Sequence, residues 1–512
     1  MRPGLWLWTA AIGACLAGCA VGPNYHTPEM KVPEGFVAAP GAGKPSAAGA
    51  DKQALDLATW WHVLNDTELD SLVDRAIQAN LSLEIALTRL QEARTFEVAI
   101  TGLALPEVEA SVGAARGTGS NLARGRASPP LVSASNTAGL KQITGIAGVD
   151  GVWTLDIFGK YRRAIEAARY DTQAAGAARN AVLITIVANV VRAYVDMRGL
   201  QMQLAVLQKD IGTAQTSLEL VQARFDRGII NELDVTLAKR ELATLQAQVA
   251  PLAAQIQAAQ YALAVLIGRF PEDIAKELEK PGLVPNVPEK IDAGLPLDVI
   301  RRRPDIREAE WRLAGATARI GVATADLFPQ VAITAGAGVQ GQGLGVTPVV
   351  QQSIWSVGVV LTWPLLDFGT LDALVDVADL RARELLLNYK QTVLSAVQEV
   401  DTAFSGYTAQ EDRLRNLGDA LAASQQAVSL ASQRYDRGLT DYLNVVDAQR
   451  QEYDLAGQYA SAQMTAAEQL VALYKSLGGG WEQYQSIPPI RQPQPAIVAA
   501  FRRVLAPEDP LK

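Results

Sequence analysis

The chain has 512 residues, a formal net charge of −8 and only 6% aromatic residues. So few aromatic side chains, beside many Ala, Leu, Gln and Arg residues, favour long helices over compact cores. The negative charge argues against nucleic acid as a partner, and no Lys/Arg block or basic-aromatic stripe occurs that could follow a phosphate backbone. We therefore expect no nucleic-acid partner.

The N-terminus has the pattern of a bacterial lipoprotein signal peptide. Residues 1–18 carry Arg2 and a short apolar run, and they end in Leu-Ala-Gly directly before Cys19. Ala20 follows the cysteine where an Asp would mark inner-membrane retention, so we expect lipidation of Cys19 and delivery to the outer membrane, with several acyl chains as a stable anchor. The alternative makes Cys19 an ordinary small residue. Because Cys15 is the other cysteine, neither disulfides nor cysteine-metal sites are expected.

One segment of the sequence occurs twice, about 210 residues apart. Residues 224–235 align without a gap with residues 434–445, and both contain an Asp-Arg-Gly turn sequence. At the same offset residues 153–159 align with residues 363–369. A long unit copied once indicates an architecture around a symmetry axis, such as a ring or a tube.

Each repeat contains a span that lacks proline, the main helix breaker. The spans are 131–250 and 365–487, and both are helical by composition. From 158 to 227 and from 368 to 437, a continuous helix would form a rod of about 100 Å. Each rod ends at a glycine suited to a left-handed C-cap, Gly228 or Gly438, after which a second helix returns.

Upstream of each rod the apolar residues alternate. One strand face carries Trp355, Val357, Val359, Leu361 and Trp363. Eight steps separate the two Trp rings by roughly 26 Å, close to the apolar band of an outer-membrane barrel. We interpret Trp355 and Trp363, with Trp153 of the first repeat, as an aromatic girdle. The alternative is a half-buried strand of a soluble protein.

Four strands are predicted in the chain, near residues 106–117, 140–156, 329–341 and 353–365. Beyond the leader, no stretch approaches 18 uninterrupted apolar residues, so a membrane would have to be crossed by β-structure. Four strands cannot close a membrane barrel, because about eight are the practical minimum. Three copies would supply about twelve strands around a usable lumen, whereas two would leave little bore.

Six features together resemble the outer-membrane efflux lipoproteins. They are the start at Cys19–Tyr25, Trp60-Trp61, Arg302–Arg307 with Glu310, Phe328-Pro329, the tip at 435–450 and Gly478–Trp481. The chain resembles a TolC/OprM-type outer membrane factor of the NodT lipoprotein group. This resemblance implies a mainly α fold with a small β part: a trimer with a twelve-stranded transmembrane β-barrel, a long α-helical barrel across the periplasm and a mixed equatorial domain.

The predicted organisation follows the repeat. It comprises a signal peptide at 1–18, a lipidated extension and equatorial segment at 19–65, repeat 1 at 66–270 with its hairpin tip at 224–236, an equatorial linker at 271–300, repeat 2 at 301–476 with its tip at 434–446, and an equatorial segment and tail at 477–512. The equatorial belt itself is expected from residues 52–66, 251–310 and 475–490.

By the resemblance, Leu443, Asp447 and Arg450 match the periplasmic gate of the family. Their spacing places them on one helical face. We hypothesise that Leu443 forms an apolar constriction and that Asp447 forms an anionic ring linked to Arg450, since charged rings set permeability in pores. The alternative is a solvated Asp447–Arg450 pair, with Leu443 in ordinary helix packing. Leu237 stands at the position of Asp447 in the first repeat, so that hairpin lacks the ring.

The resemblance also implies a surface for a periplasmic adaptor (membrane fusion) protein, formed by the tip residues Arg227, Gly228, Ile229, Arg437, Gly438 and Leu439. The glycines are equally explained as turn formers. Small residues permit the close approach of two hairpins, and polar anchors suit the rim of such a contact.

An enzyme is not expected. The chain has two histidines and no nucleophile motif, phosphate loop or metal-ligand cluster, and its many carboxylates are interpreted as solvated helix faces, so we predict no cofactor and no metal. A lipid-anchored periplasmic helical scaffold would explain the rods but not the paired strands. The sequence thus predicts a passive outer-membrane exit duct, coupled to an inner-membrane RND-type transporter in multidrug efflux or, alternatively, serving type I protein secretion.

Overall fold

The computed structural model describes residues 20–30, 33, 35–37, 57–118, 141–275, 277–278, 280, 282, 284–285, 301–344 and 350–484. Within them the chain is mainly helical with one small sheet, which confirms the predicted mainly α fold with a small β part. The signal peptide, Cys19 and the C-terminal tail from 485 lie outside the described residues.

The elements follow in chain order. They are a 3-10 helix at Leu57–Leu64, α1 at Thr67–Ala79, α2 at Leu81–Gly102, β1 at Glu107–Thr118, β2 at Lys141–Leu155, α3 at Lys160–Asp226, α4 at Glu232–Gln246, α5 at Val249–Leu266, α6 at Pro271–Ala275, α7 at Pro304–Ala325, β3 at Gln330–Leu344, β4 at Val350–Thr362, α8 at Thr370–Asp436, α9 at Tyr442–Ser476 and a 3-10 turn at Glu482–Tyr484.

Helices α3 and α8 are the longest elements, with 67 residues each. At the rise of an α-helix, each is about 100 Å long. Each begins directly after a glycine in the left-handed region, Gly159 with a φ of 83° and Gly369 with a φ of 80°. No proline interrupts either helix. The two helices lie inside the rods predicted at 158–227 and 368–437.

The four strands form one antiparallel sheet in the order β1-β2-β3-β4. In the part of the chain that the structure describes, β1 and β4 are edge strands, and no helix packs extensively on either face of the sheet. The alternating apolar residues of β4 are exposed, Trp355 to 77%. In a soluble protein with a half-buried strand, other residues would cover this apolar face. Within one chain the face is uncovered, so the sheet is an unpartnered amphipathic surface.

The main core lies beside the middle of α3 and the end of α9. Trp60 and Trp61 are fully buried there, and the Trp60 ring stacks on Tyr474 at a centroid distance of 5.0 Å. Asp66 caps α1 and accepts a hydrogen bond of 2.6 Å from the Tyr194 hydroxyl. The paired tryptophans of the predicted belt are therefore core residues that join the N-terminal segment to both repeats.

Arg303 fixes the start of α7 against α8 and α9. Its guanidinium donates to the carboxylates of Asp305 and Glu399, each at 2.7 Å, and to the Ser476 carbonyl at 2.8 Å. Pro304 occupies the first helical turn, where the missing N–H costs nothing. The Arg-Arg-Pro-Asp motif thus works as a clamp between helices.

Two helical segments, α3 and Glu232–Leu266, contain 18-residue windows that are apolar enough on average to cross a membrane. In α3, 56% of that window is buried inside the chain, against 22% in the other segment. The apolar residues of α3 between Leu183 and Met197 share the main core with Trp60 and Trp61, which accounts for the apolar composition of this part of the helix.

Candidate functional site

The two helical hairpins lie side by side at the end of the rods. A group of apolar residues joins them, here called the tip cluster: Val221, Val235, Ala238, Tyr435, Tyr442, Val445 and Val446. The rings of Tyr435 and Tyr442 are 5.3 Å apart. Burial raises the pKa of the Tyr442 hydroxyl to about 12, so this phenol stays neutral at any physiological pH.

Both hairpin turns have the same backbone hydrogen bonds. The Gly228 N–H donates to the Phe225 carbonyl at 2.8 Å, and the Ile229 N–H donates to the Arg224 carbonyl at 3.0 Å. Gly438 and Leu439 repeat these two bonds in the second turn. This is the Schellman motif, with glycine in the left-handed position.

The six predicted adaptor-contact residues are exposed at these turns, and the space around both glycines is open. Ile229 and Leu439 are large apolar side chains that the chain leaves uncovered. The turn role of the glycines follows from their positive φ angles. The arrangement presents two similar turns, each with a cation, a glycine and an apolar residue at its apex.

A polar link that sequence reasoning missed connects the two hairpins. The Arg224 guanidinium lies 2.7 Å from the Asp436 carboxylate and 4.7 Å from the centre of the Tyr435 ring. Arg224 and Asp436 both belong to the duplicated segment, and this duplication was the sequence feature that could have indicated their contact. Their partnership joins different repeats, so the spacing within one repeat could not reveal it.

The predicted gate residues share one exposed face of α9. Leu443 is 57% exposed, and Asp447 and Arg450 are exposed too, while Tyr442 and Gln449 on the other face are buried. Leu443 therefore does not pack between helices of its own chain, as the alternative interpretation required.

Within the chain, Arg450 has a partner that the sequence analysis did not predict. Arg450 lies 3.6 Å from the Glu241 carboxylate of α4, and in the described part of the chain its ion pair is with Glu241 rather than Asp447. The reason is that Glu241 faces α9 from the first hairpin. Gln449 adds a second tie, because its amide donates to the Ser217 hydroxyl at 3.0 Å. The link between the Asp447 ring and Arg450 stays a prediction.

Further along the rods, two carboxyl groups contradict the expectation of solvated acidic faces. Burial raises the pKa of Asp196 to about 8, and the neighbouring Glu468 carboxylate on α9 adds to the effect. Burial likewise raises the pKa of Asp210 to about 6, with Glu452 as its acidic neighbour. These groups lie between packed helices, where water stabilises their charge less well than at the surface.

The predicted girdle tryptophans lie at the sheet. The indole N–H of Trp153 donates to the Ala104 carbonyl at 3.2 Å, and that of Trp363 donates to the Leu327 carbonyl at 3.1 Å. Each indole thus bonds to the loop that precedes a strand of its own repeat. Trp355 projects from the sheet and is exposed, with no such anchor among the residues that the structure describes.

The chain directly after Cys19 is fixed beside the sheet. The Val21 N–H donates to the Phe158 carbonyl at 3.1 Å, and Arg163 donates to the carbonyls of Val21 and Gly22, each at 3.1 Å. Gly22, with a φ of 88°, lies against the helix backbone at Gly321, where a Cβ would come within 2.4 Å of the Gly321 Cα. The residues directly after Cys19 are therefore anchored at the junction of β2 and α3.

A single sheet joined to two 67-residue helices and paired hairpin tips defines the class: an elongated, mainly helical protein with one small sheet. The family model described as outer membrane efflux protein matches residues 72–269 and 295–479. The chain belongs to this family. The two matched segments correspond to the two repeats.

Individual relatives are similar over nearly the whole chain. Nodulation protein T of Rhizobium leguminosarum bv. trifolii is 29% identical over 475 residues, which are 91% of this chain and 95% of that protein. The toluene efflux pump outer membrane protein TtgC of Pseudomonas putida is 29% identical, covering 91% of this chain and 93% of that one. The solved outer-membrane channel OprN has 32% identity and a TM-score of 0.79 over 91% of this chain and all of that one.

Proposed function

We propose that this chain is the outer-membrane exit duct of a tripartite efflux pump. Three copies form a twelve-stranded barrel in the outer membrane and a helical barrel across the periplasm. The observation that carries the proposal is an amphipathic sheet with two open edges that continues into two helices of about 100 Å. An open sheet edge in lipid leaves backbone groups unsatisfied, so the sheet needs further copies to close.

The lipid anchor belongs to this proposal. Acyl chains on Cys19 would enter the membrane beside the barrel, because the following residues are held where β2 meets α3. That position is the end of the membrane-facing sheet. The protein would be both lipid-anchored and membrane-spanning, with its rods in the periplasm of a Gram-negative bacterium.

The duct is passive and draws its energy from an inner-membrane RND-type transporter. The adaptor would contact the exposed turns around Gly228 and Gly438, where an apolar residue and an arginine flank each glycine. The cargo would be drugs or other small toxic compounds, as the name of the toluene efflux relative suggests. A wide lumen need not discriminate between compounds, so the inner-membrane pump would select the cargo.

The gate would form where three copies bring Leu443 and Asp447 around one axis. Their shared exposed face on α9 supports this, since nothing in the described part of their own chain covers it. Asp447→Ala should reduce cation preference in single-channel recordings, and Arg450→Ala should raise open probability by releasing Glu241. Asp454→Ala, on the same helix, is the matched control. Unchanged conductance and gating in both gate variants would remove these residues from the gate.

The function is tested by deleting the gene and measuring susceptibility to dyes, detergents and antibiotics. We expect lower inhibitory concentrations for the deletion strain than for the wild-type strain. The wild-type gene should restore them, and a variant that carries Cys19→Ala and lacks the signal peptide should not. A strain that loses an exported protein but keeps its resistance would indicate type I secretion instead. Absence of any bilayer conductance from the purified protein would support the scaffold.

A further inference from the structure

Helices α9 and α7 meet end to end between the two long helices. Both pack against α3 and against α8. Arg303, directly before α7, donates from its guanidinium to the carbonyl of Ser476, the last residue of α9, at 2.8 Å. The helical wall therefore contains a joint, where one short helix ends and another begins.

The first repeat has an equivalent joint, between α5 and α2. There the Asn80 amide donates to the Leu266 carbonyl at 2.6 Å. Helix α9 ends at Ser476, 210 positions after α5 ends at Leu266. The glycines that follow, Gly268 and Gly478, both have a positive φ. The backbone of the joint is thus repeated, while the side chain that closes it differs.

A cleft of about 510 Å³ lies at the second joint, between α3, α8, α9 and the start of α7. We call it the joint cleft. Its volume is within the range of about 300 to 1,000 Å³ that is typical of small-molecule sites. Apolar and polar side chains both line it, among them Ile184, Ala403, Ala472, Glu399, Thr402 and Lys475.

The joint cleft and the main core use opposite faces of α9. Leu470 and Leu473 pack into the apolar groups that contain Trp60 and Phe36 of the N-terminal segment. Ala472 lines the cleft instead. In the proposed duct the equatorial belt, which includes Trp60, surrounds the tube. The joint cleft would then open toward the lumen.

Lys475 brings an unbalanced positive charge to the joint cleft. It is exposed, and its ammonium has no hydrogen bond or ion pair with any residue that the structure describes. A lysine in the last helical turn interacts favourably with the helix dipole, but this leaves the ammonium without a counter-charge. At the offset of 210, Val265 occupies this position in the first repeat. The joint itself therefore does not require a charge here.

Glu399 brings a negative charge from α8. Its carboxylate and that of Asp305 each lie 2.7 Å from the Arg303 guanidinium. Because two carboxylates share one guanidinium, one negative charge is left uncompensated. The Glu399 side chain is 55% exposed, so it is accessible to a ligand. The joint cleft thus has an ammonium on α9 and a carboxylate on α8, beside an apolar surface.

We propose that the joint cleft binds a small amphipathic zwitterion. Lys475 pairs with the carboxylate of the ligand, Glu399 pairs with its protonated amine, and its apolar body lies against Ile184 and Ala403. A purely anionic or cationic compound would leave one of the two wall charges unpaired, and such charge complementarity gives specificity. The identification of this ligand class as cargo rests on the proposed function. Binding by exposed charges is weak, which suits a site along a conduit, since bound cargo must also leave.

Matched ligands test the charge requirement. The probe is the dipeptide phenylalanyl-phenylalanine, which has a free amine, a free carboxylate and two apolar rings. Its N-acetyl derivative lacks the amine charge, and its C-terminal amide lacks the carboxylate charge. Ligand-observed NMR titrations use the full-length protein in lipid nanodiscs, with empty nanodiscs as the blank. We expect the dipeptide to bind more tightly than either derivative. Equal affinities for the three compounds would overturn the proposal.

Substitutions then assign each charge to its partner. Lys475→Gln should weaken binding of the dipeptide and of the N-acetyl derivative by about two- to fivefold, as loss of an exposed ion pair does, and should leave the amide unaffected. Glu399→Gln should weaken the dipeptide and the amide instead. Lys209→Gln is the matched control, because Lys209 is exposed on α3 outside the joint cleft. If Lys475→Gln weakened all three compounds equally, it would act through the structure of α9 and not through a contact, which would contradict the proposal.

The outcomes separate this inference from the proposed function. A purified trimer that conducts ions but binds the three compounds equally would leave the duct standing and exclude the zwitterion site. A protein that discriminates between the compounds as predicted, but neither forms trimers nor conducts, would retain the site and exclude the duct.

Discussion

The link from Arg224 to the second hairpin should help to hold the tip closed. Arg224→Ala removes an ion pair of 2.7 Å to Asp436 and a guanidinium 4.7 Å from the Tyr435 ring. A partly exposed ion pair contributes about 0.2 to 1 kcal/mol, and an exposed cation–π contact contributes about 0.5 to 1 kcal/mol. Together they stabilise the contact by about 0.7 to 2 kcal/mol, and about 1.4 kcal/mol corresponds to a tenfold change in an equilibrium.

In the proposed gate, opening separates the second hairpin from the first, so losing this link should raise the open probability by roughly threefold to thirtyfold. Single-channel recording in planar bilayers measures it. A double-mutant cycle with Asp436→Ala isolates the pair, and high salt should shrink the difference. Arg415→Ala is the matched control, since Arg415 pairs with Asp412 on α8 with both side chains exposed. An open probability in Arg224→Ala equal to that of wild type would refute the reasoning.

Three further predictions concern stability, measured by thermal unfolding in detergent. Gly438→Ala should destabilise the tip by about 1 kcal/mol because its φ is positive, whereas Gly457→Ala inside α9 should stabilise by a similar amount; equal effects would contradict this. Arg303→Ala should cost about 2 kcal/mol by leaving a buried carbonyl of α9 unpaired, and exposed Arg301→Ala should cost almost nothing. Folded Asp196 keeps its proton up to a pH of about 8, whereas the unfolded carboxyl does not, so the free energy of unfolding should fall as pH rises from about 5 to about 8. The variant Asp196→Asn should flatten that slope. An unchanged slope would exclude Asp196 as its source.

The local features were predictable because nearby residues determine them. The left-handed glycines after Asp-Arg, the proline-free rods and the alternating residues around Trp355 each depend on neighbours in sequence. The predicted strands at 329–341 and 353–365 lie within a few residues of β3 and β4. The face shared by Leu443, Asp447 and Arg450 could likewise be predicted from helical spacing.

Contacts between repeats were not predictable from spacing alone. Arg224 and Asp436 are far apart in sequence, as are Arg450 and Glu241, and only the packing of the two hairpins brings them together. The solvated-face interpretation was wrong at Asp196 for the same reason, because α9 covers that side of α3. Charge patterns on one helix cannot show which face another helix will cover.

The most direct test of the account is electron cryo-microscopy of the full-length protein extracted from membranes in detergent. The account predicts a three-fold hollow tube, with twelve strands in a membrane collar and a helical rod of about 100 Å below it. A solid rod, or a particle without three-fold symmetry, would contradict the central claim that the open sheet edges close into a barrel.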